Sequence, residues 1–317
     1  MANFLHSGLR GSDLTFYREN GYLHIKNLID PWEIARLDTE ATDVINYARG
    51  GVAGNHNQYT YQMDAKTGRM VLSRIGGMAT KGGAFFHLYG HPRILAIAHA
   101  VLGCNFMPLR DALQIKMPEY GAPIPWHRDP GHPRTIPPLD IDVYLDIATP
   151  DNGCLYVIPG SHRWRGFDLQ DMLDEHGFNL PGAIPVVAEP GDVVLHSPNI
   201  LHGSRATREK PMRRINYLAY YEIRDLLCKG GKFDENYVRS WLRFMLAAVK
   251  ERGQLRETAG EEAYTYKPTI SQFVLDADNL GFVEKELVNL GEEGLDPNYR
   301  YSPHNVIDHD SIIEGEE

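Results

Sequence analysis

The sequence predicts a mainly β fold with flanking α-helices, organised as an antiparallel barrel or jelly roll, and three observations carry that expectation. Between residues 109 and 222, short runs of alternating apolar and polar residues recur, each bounded by Gly, Pro, Asn or Asp. Short strands separated by such turns indicate a barrel or sandwich. Helical periodicity falls mostly before and after this region. At 317 residues and 43% hydrophobic composition, the chain also has ample material for a core.

The elements follow in order. Ser12 or Asp13 caps a short helix through Glu19, and Asn20-Gly21 ends it. Tyr22 to Leu28 alternates as a strand does. Asp30-Pro31 opens a second helix with a cap and a first-turn proline. Its apolar face is Ile34, Leu37, Ala41, Val44, Ile45 and Ala48, and Gly50-Gly51 stops it. Residues 50 to 83 lack periodicity and read as loop with short strand pieces over the mouth of a site, where loops often carry substrate contacts. Tyr59, Tyr61, Arg69 and Arg74 are the candidates there. Pro92 to Leu102 reads as a buried helix. Strands follow at 109–117, 141–147, 154–158, 183–188, 192–196 and 214–222, with a tight turn at Pro150-Asp151-Asn152-Gly153. An insertion at 161–179 carries a helix over 171–176. Beyond Glu222 the strands cease, helices are expected over 237–249 and 269–290, and the acidic end at 308–317 is frayed. The whole, 1–317, reads as one domain: a core over about 14–222 and a helical C-terminal extension, 223–317, packed on it.

Composition narrows the function. A net charge of −10 argues against a nucleic-acid partner, which would need a basic stripe against phosphates. The three cysteines, Cys104, Cys154 and Cys228, are odd in number and widely spaced, which suggests neither a disulfide framework nor a thiolate metal site. No run of about 18 apolar residues occurs, and the N-terminus lacks a basic and apolar leader. A cytoplasmic protein, with no membrane partner, is expected as a monomer or weak homo-oligomer acting on a small molecule.

The chemistry hangs on Trp126-His127-Arg128-Asp129 and on His202. In an extended segment, His127 and Asp129 point the same way. The remote His202, in Ser197-Pro198-Asn199-Ile200-Leu201-His202-Gly203-Ser204, completes one face of an octahedron. Two imidazoles and one carboxylate leave three adjacent positions open, which suits a non-haem Fe(II) oxygenase binding a co-substrate and dioxygen side by side. An H-x-D pair alone also fits a turn or a surface hydrogen bond, so the surrounding motifs matter.

Those motifs are Asp151-Asn152-Gly153-Cys154-Leu155-Tyr156-Val157-Ile158-Pro159-Gly160-Ser161-His162, then Pro190-Gly191-Asp192-Val193-Val194-Leu195-His196, then His202-Gly203-Ser204, then Arg213. With Phe16-Tyr17-Arg18-Glu19-Asn20-Gly21-Tyr22-Leu23 near the start, the ordered set resembles the phytanoyl-CoA dioxygenase family of Fe(II)- and 2-oxoglutarate-dependent oxygenases, over about residues 14 to 222. The resemblance implies a double-stranded β-helix of the cupin-like kind. It also implies Fe(II) held by His127, Asp129 and His202, with 2-oxoglutarate and dioxygen as co-substrates. Arg213, eleven residues after His202, matches the arginine that binds the distal carboxylate of 2-oxoglutarate, a task suited to a planar guanidinium. Arg214 would face the other way. Ser204 matches a serine that binds the same carboxylate. His196 is a rival third ligand, but only His202 places Gly203-Ser204 and Arg213 at the family spacing. Relatives that halogenate replace the carboxylate by a small residue, so Asp129 favours hydroxylation or another oxidation.

Gln114 and Lys116 share a strand face that reaches toward 2-oxoglutarate. Trp126 reads as a core aromatic. Asp142 stands where relatives carry a large aromatic, either facing the metal or, if the alignment slips by one residue, turned away. Arg128, His132 and Arg134 add polar groups beside the motif, and Arg74 adds another from the loop. The expected activity is oxidation, by default hydroxylation, of an unactivated C–H bond in a small metabolite of secondary or specialised metabolism. The alternatives are an acyl-CoA 2-hydroxylase of the phytanoyl type, a non-catalytic binding protein on the same barrel, and a metal-dependent hydrolase. Desaturation, epimerisation and ring formation remain open outcomes.

Overall fold

The computed structural model describes residues 8–49, 58–63, 67–118, 121–129, 136–207, 211–228 and 233–270. The expected helix over 269–290 lies outside them beyond residue 270, as do the acidic end, His132 and Arg134.

Helix α1 (Gly11–Asn20) ends on Gly21, whose positive φ of 79° is the left-handed cap that glycine adopts without a Cβ penalty. The helix starts earlier than expected. Asp13 is its third residue and accepts the Arg10 backbone N–H at 2.7 Å, closing a capping box, and is not itself the cap. Strand β1 (Tyr22–Ile25) stops three residues before Leu28, because Asn27 turns to a φ of 51°. Helix α2 (Pro31–Arg49) buries Leu37, Ala41, Ile45 and Ala48. The stretch after it holds more strand than its composition suggested. Strands β2 (Tyr59–Met63) and β3 (Met70–Gly76) form a hairpin, and β3 pairs with β4, so the hairpin extends the main sheet. Helices α3 (Gly83–Leu88) and α4 (Pro92–Leu102) follow.

The remaining strands are β4 (Phe106–Lys116), β5 (Ile124–His127), β6 (Leu139–Tyr144), β7 (Leu155–Val157), β8 (Ile184–Val186), β9 (Val193–His196), β10 (His202–Ser204) and β11 (Arg213–Glu222). Helix α5 (Leu169–His176) sits in the insertion, with α6 (Ile223–Leu227) and α7 (Glu235–Arg252) after the last strand. One sheet runs β1-β9-β6-β11-β4-β3-β2 and the other β5-β10-β7-β8, every pairing antiparallel. This is the expected double-stranded β-helix.

The period-two alternation of the strands divides the main sheet into two faces. Leu113, Ile141, Val143 and Leu218 pack outward with Leu37, Ile45, Phe85, Ile94 and Phe244 of the helices. Helix α7 lies against β4 and α3, so the first part of the C-terminal extension covers this face. On the inner face, Tyr144, Val194 and Ile215 meet Leu155, Val157 and Ile200 in an apolar plug. The inner face beyond that plug is polar, and there the cavity opens.

Candidate active site

One cavity is lined by residues of both sheets: His127, Asp129, His202 and Ser204 from the smaller one and its loop, and Gln114, Asp140, Asp142, His196, Arg213 and Tyr217 from the larger. Strands β10 and β5 put His202 directly opposite His127. That approach needs Gly203, since a Cβ there would come within 2.9 Å of the Ile124 carbonyl oxygen. Beyond the strand, the Asp129 backbone N–H donates to the Pro198 carbonyl at 2.9 Å, which ties the end of H-x-D to the loop that precedes His202.

The two imidazoles are arranged alike. Nδ1 of His127 lies 2.8 Å from the Pro125 carbonyl, and Nδ1 of His202 lies 3.0 Å from the Ile200 carbonyl. A carbonyl can only accept, so both rings carry a proton on Nδ1, and Nε2 is the atom each presents to the cavity. Such backbone tethers orient metal-binding histidines. His127 Nε2 is 3.5 Å from Asp129 Oδ1, and one ligand atom from each of His127, Asp129 and His202 lies within 4.8 Å of the others. Burial, then the neighbouring His127, drives the His202 pKa down to about 3, which keeps it neutral. Burial opposes ionisation of Asp129, but the adjacent His127 and His202 hold it below the usual carboxylate range. Two imidazoles that turn Nε2 toward a carboxylate held ionised are the donors a divalent metal takes, so the set fits Fe(II).

Deeper in the same cavity lies Arg213, 3% exposed, with its Nε unpartnered and no ion-paired carboxylate among the described residues. The buried Ser204 hydroxyl is also without a partner. Such orphaned donors are costly unless a ligand satisfies them. Arg214 faces the opposite way and is held by Asp146 and Asp38. Gln114 lines the cavity as well.

Other expectations need correction. Lys116 shares the strand face of Gln114, yet its ammonium is engaged by the carbonyls of Ala122 and Arg205 and it does not line the cavity. Arg128 turns outward to the Ser161 carbonyl and stacks 4.5 Å over Phe167, which makes it a brace for the insertion. Arg74 does not line the cavity either, and reaches Tyr217, which does. Tyr61 donates to the Ala48 carbonyl, and neither Tyr59 nor the exposed Arg69 lines the cavity. Trp126 is a core aromatic with its Nε1 donating to Phe178. Asp142 faces the cavity, its Oδ2 3.3 Å from His196 Nε2. His196 is thus a cavity residue paired to Asp142. Its pKa is raised: burial opposes this, but Asp142 outweighs it.

Three polar cavity residues were missed, and strand parity would have found each. Asp140 shares a face with Asp142, Arg110 with Gln114, and Tyr217 with Arg213.

Residues 17–215 match the family described as phytanoyl-CoA dioxygenase (PhyH). The chain is 25% identical over 221 residues to a probable alpha-ketoglutarate-dependent hypophosphite dioxygenase of Stutzerimonas stutzeri, covering 64% of this chain and 76% of that one. It is 26% identical over 247 residues to the peroxisomal phytanoyl-CoA dioxygenase of Mus musculus, covering 71% and 72%. The crystal structure of EctD from S. alaskensis with bound Fe shares the fold, with a TM-score of 0.59 at 23% identity over 68% of this chain and 78% of that one. No helix among the described residues is long and apolar enough to cross a membrane.

Proposed function

The chain belongs to the phytanoyl-CoA dioxygenase family, and from that premise we propose that it hydroxylates an unactivated C–H bond of a small polar metabolite, with His127, Asp129 and His202 holding the iron. It is a 2-oxoglutarate-dependent non-haem iron dioxygenase whose cofactor is Fe(II) and whose co-substrates are 2-oxoglutarate and dioxygen. Held by His127, Asp129 and His202, Fe(II) would supply dioxygen activation coupled to the oxidative decarboxylation of 2-oxoglutarate to succinate. One observation carries the residue assignment. Two imidazoles with tethered Nδ1 atoms and a carboxylate converge in the same cavity as a buried arginine and serine whose polar atoms lack partners.

Arg213 receives the distal carboxylate of 2-oxoglutarate and Ser204 adds a hydroxyl, so the co-substrate satisfies both orphans and is oriented toward the three ligands. Gln114 lies alongside it. Leu155 and Ile215 line the cavity on either side and shield this end from water. On the substrate side, Asp142 faces the cavity, with Asp140, His196 and Tyr217 nearby. Carboxylates in this wall suit a substrate bearing a hydroxyl or an amine over a long acyl chain.

The test is anaerobic. Adding Fe(II) and 2-oxoglutarate to the protein should give the visible metal-to-ligand charge-transfer band, and small hydroxyl- or amine-bearing metabolites should perturb it. Efficient coupled turnover of phytanoyl-CoA would overturn the substrate reading, and absence of the band would overturn the site.

A further inference from the structure

The cavity also holds groups that neither iron nor 2-oxoglutarate uses. Tyr217 stands on β11 four residues beyond Arg213 and lines the cavity. Four strand residues span about 13 Å, so a five-carbon diacid anchored on Arg213 ends short of it. Tyr217 is paired directly with Asp142 of β6, and opposed residues of an antiparallel pair hold their side chains about 5 Å apart on one face. A phenol and a carboxylate therefore rise from adjacent positions of one cavity wall.

Arg74 fixes the polarity of the phenol. Its Nη2 lies 2.5 Å from the Tyr217 hydroxyl, and its guanidinium carbon lies 5.6 Å from the centre of the ring. A guanidinium can only donate. The Tyr217 oxygen is thus the acceptor, and its own proton is directed away from Arg74. The result is a donor at Tyr217 beside an acceptor at Asp142.

We propose that Tyr217 and Asp142 together read hydroxyl groups of the primary substrate, that Arg74 is the positioning residue for the Tyr217 hydroxyl, and that the substrate is a polyhydroxylated ring or chain presenting a vicinal diol. This rests on the placement of iron and 2-oxoglutarate given above. The two rival polar groups match less well. An ammonium would use Asp142 and leave the Tyr217 proton unmatched, whereas a carboxylate would use Tyr217 and leave Asp142 without a donor. A diol both accepts and donates, and uses both.

Three probes of one carbon skeleton decide it: cis-cyclohexane-1,2-diol, cyclohexylamine and cyclohexanecarboxylate, titrated into the metal-free protein with 2-oxoglutarate held in excess, so that Arg213 is occupied, and followed by ligand-observed NMR. The diol should bind tightest. Tyr217→Phe and Arg74→Ala should each weaken it roughly threefold to tenfold, the loss of one hydrogen bond. Arg74→Lys should recover most of that loss, since an ammonium also donates to the phenol oxygen, and cyclohexylamine should be indifferent to Tyr217→Phe. Tighter binding of the amine or the carboxylate, no diol binding to the wild type, or diol affinity unchanged in Tyr217→Phe would each overturn the proposal. The Fe(II)·2-oxoglutarate band, recorded separately on the wild type, keeps the failures apart: a band without diol binding overturns only the diol reading.

Discussion

Arg213 and Arg214 are adjacent, chemically identical and nearly equally buried, at 3% and 5% exposed, yet their surroundings differ completely. Arg214, on the outer face of β11, donates to both carboxylate oxygens of Asp146 at 2.7 and 2.8 Å, to Asp38 at 2.5 Å and to Thr42 at 3.1 Å. Arg213, on the inner face, has no ion-paired carboxylate among the described residues and an unpartnered Nε. Leaving a buried guanidinium incomplete is costly, and the fold tolerates it on the side that opens to the cavity. The difference teaches how to separate structure from function in one strand. Of the two arginines, the outer one is completed by the protein and the inner one waits for a ligand.

The largest expected effect lies on the inner side. His127→Ala or His202→Ala should lower Fe(II) affinity by more than about 100-fold, exceeding what loss of an outer hydrogen-bond partner costs a metal site. Anaerobic metal titration checks this. Loss in His196→Ala with retention in His202→Ala would move the third ligand and break the division proposed here. The two arginines sharpen the comparison next. Arg213→Ala should weaken 2-oxoglutarate binding by roughly 30- to 1000-fold, taking about 2 to 4 kcal/mol for a bidentate charge-assisted contact. Arg214→Ala should instead lower the melting temperature and leave 2-oxoglutarate affinity within about threefold. A calorimetric titration that found the reverse would invert the parity of β11.

How much of this was legible in the sequence follows the same division. Strand alternation and turn residues pointed to the barrel, and the family resemblance, through the distance from His202, picked Arg213, which lines the cavity. Parity alone misled at Lys116, because a shared face does not say where the end of a long side chain goes. Its amine was claimed by two carbonyls of neighbouring loops. Arg128 failed for a related reason. It flanks the H-x-D ligands in sequence, but alternation turns it out toward the Ser161 carbonyl and the Phe167 ring. The β2–β3 hairpin was hidden by its composition, since its pairing with β4 is a tertiary contact that local propensity does not encode.

A stability measurement probes the outer face by a different route. Asp111 alternates with the cavity-lining Arg110, faces the helices and accepts the Ala79 backbone N–H at 3.0 Å. Burial pushes its pKa up from 3.8 to about 6, and the Ala79 hydrogen bond only partly opposes this. The folded state therefore holds this proton more tightly than the unfolded chain does. The contribution is fully present below about pH 4 and is lost as the pH rises through about 6, worth at most about 3 kcal/mol. Urea unfolding of wild type and Asp111→Asn at pH 4 and pH 7 should give a stability difference that shifts in favour of the variant at the higher pH. A difference independent of pH would remove Asp111 from this role.

The smallest effect, and the finest test of the comparison, is at Asp142. It is 7% exposed, buried much like Arg214, and it too has an ionic partner, His196 at 3.3 Å. By burial and pairing alone it would be classed with the completed outer face. Its position on the cavity wall says otherwise, because a carboxylate has two oxygens and His196 engages one of them. Asparagine keeps the shape and one acceptor oxygen but loses the charge. If Asp142 belongs with the ligand-facing residues, Asp142→Asn should reduce substrate-coupled turnover by about 1 to 2 kcal/mol in kcat/KM. Uncoupled consumption of 2-oxoglutarate should persist, since Arg213 lies on a different strand and is not its ion-pair partner. Should the variant instead lose melting temperature with kcat/KM intact, Asp142 would be a structural carboxylate like Asp146, and the boundary between the two classes would run through β6 instead of between the faces of the sheet.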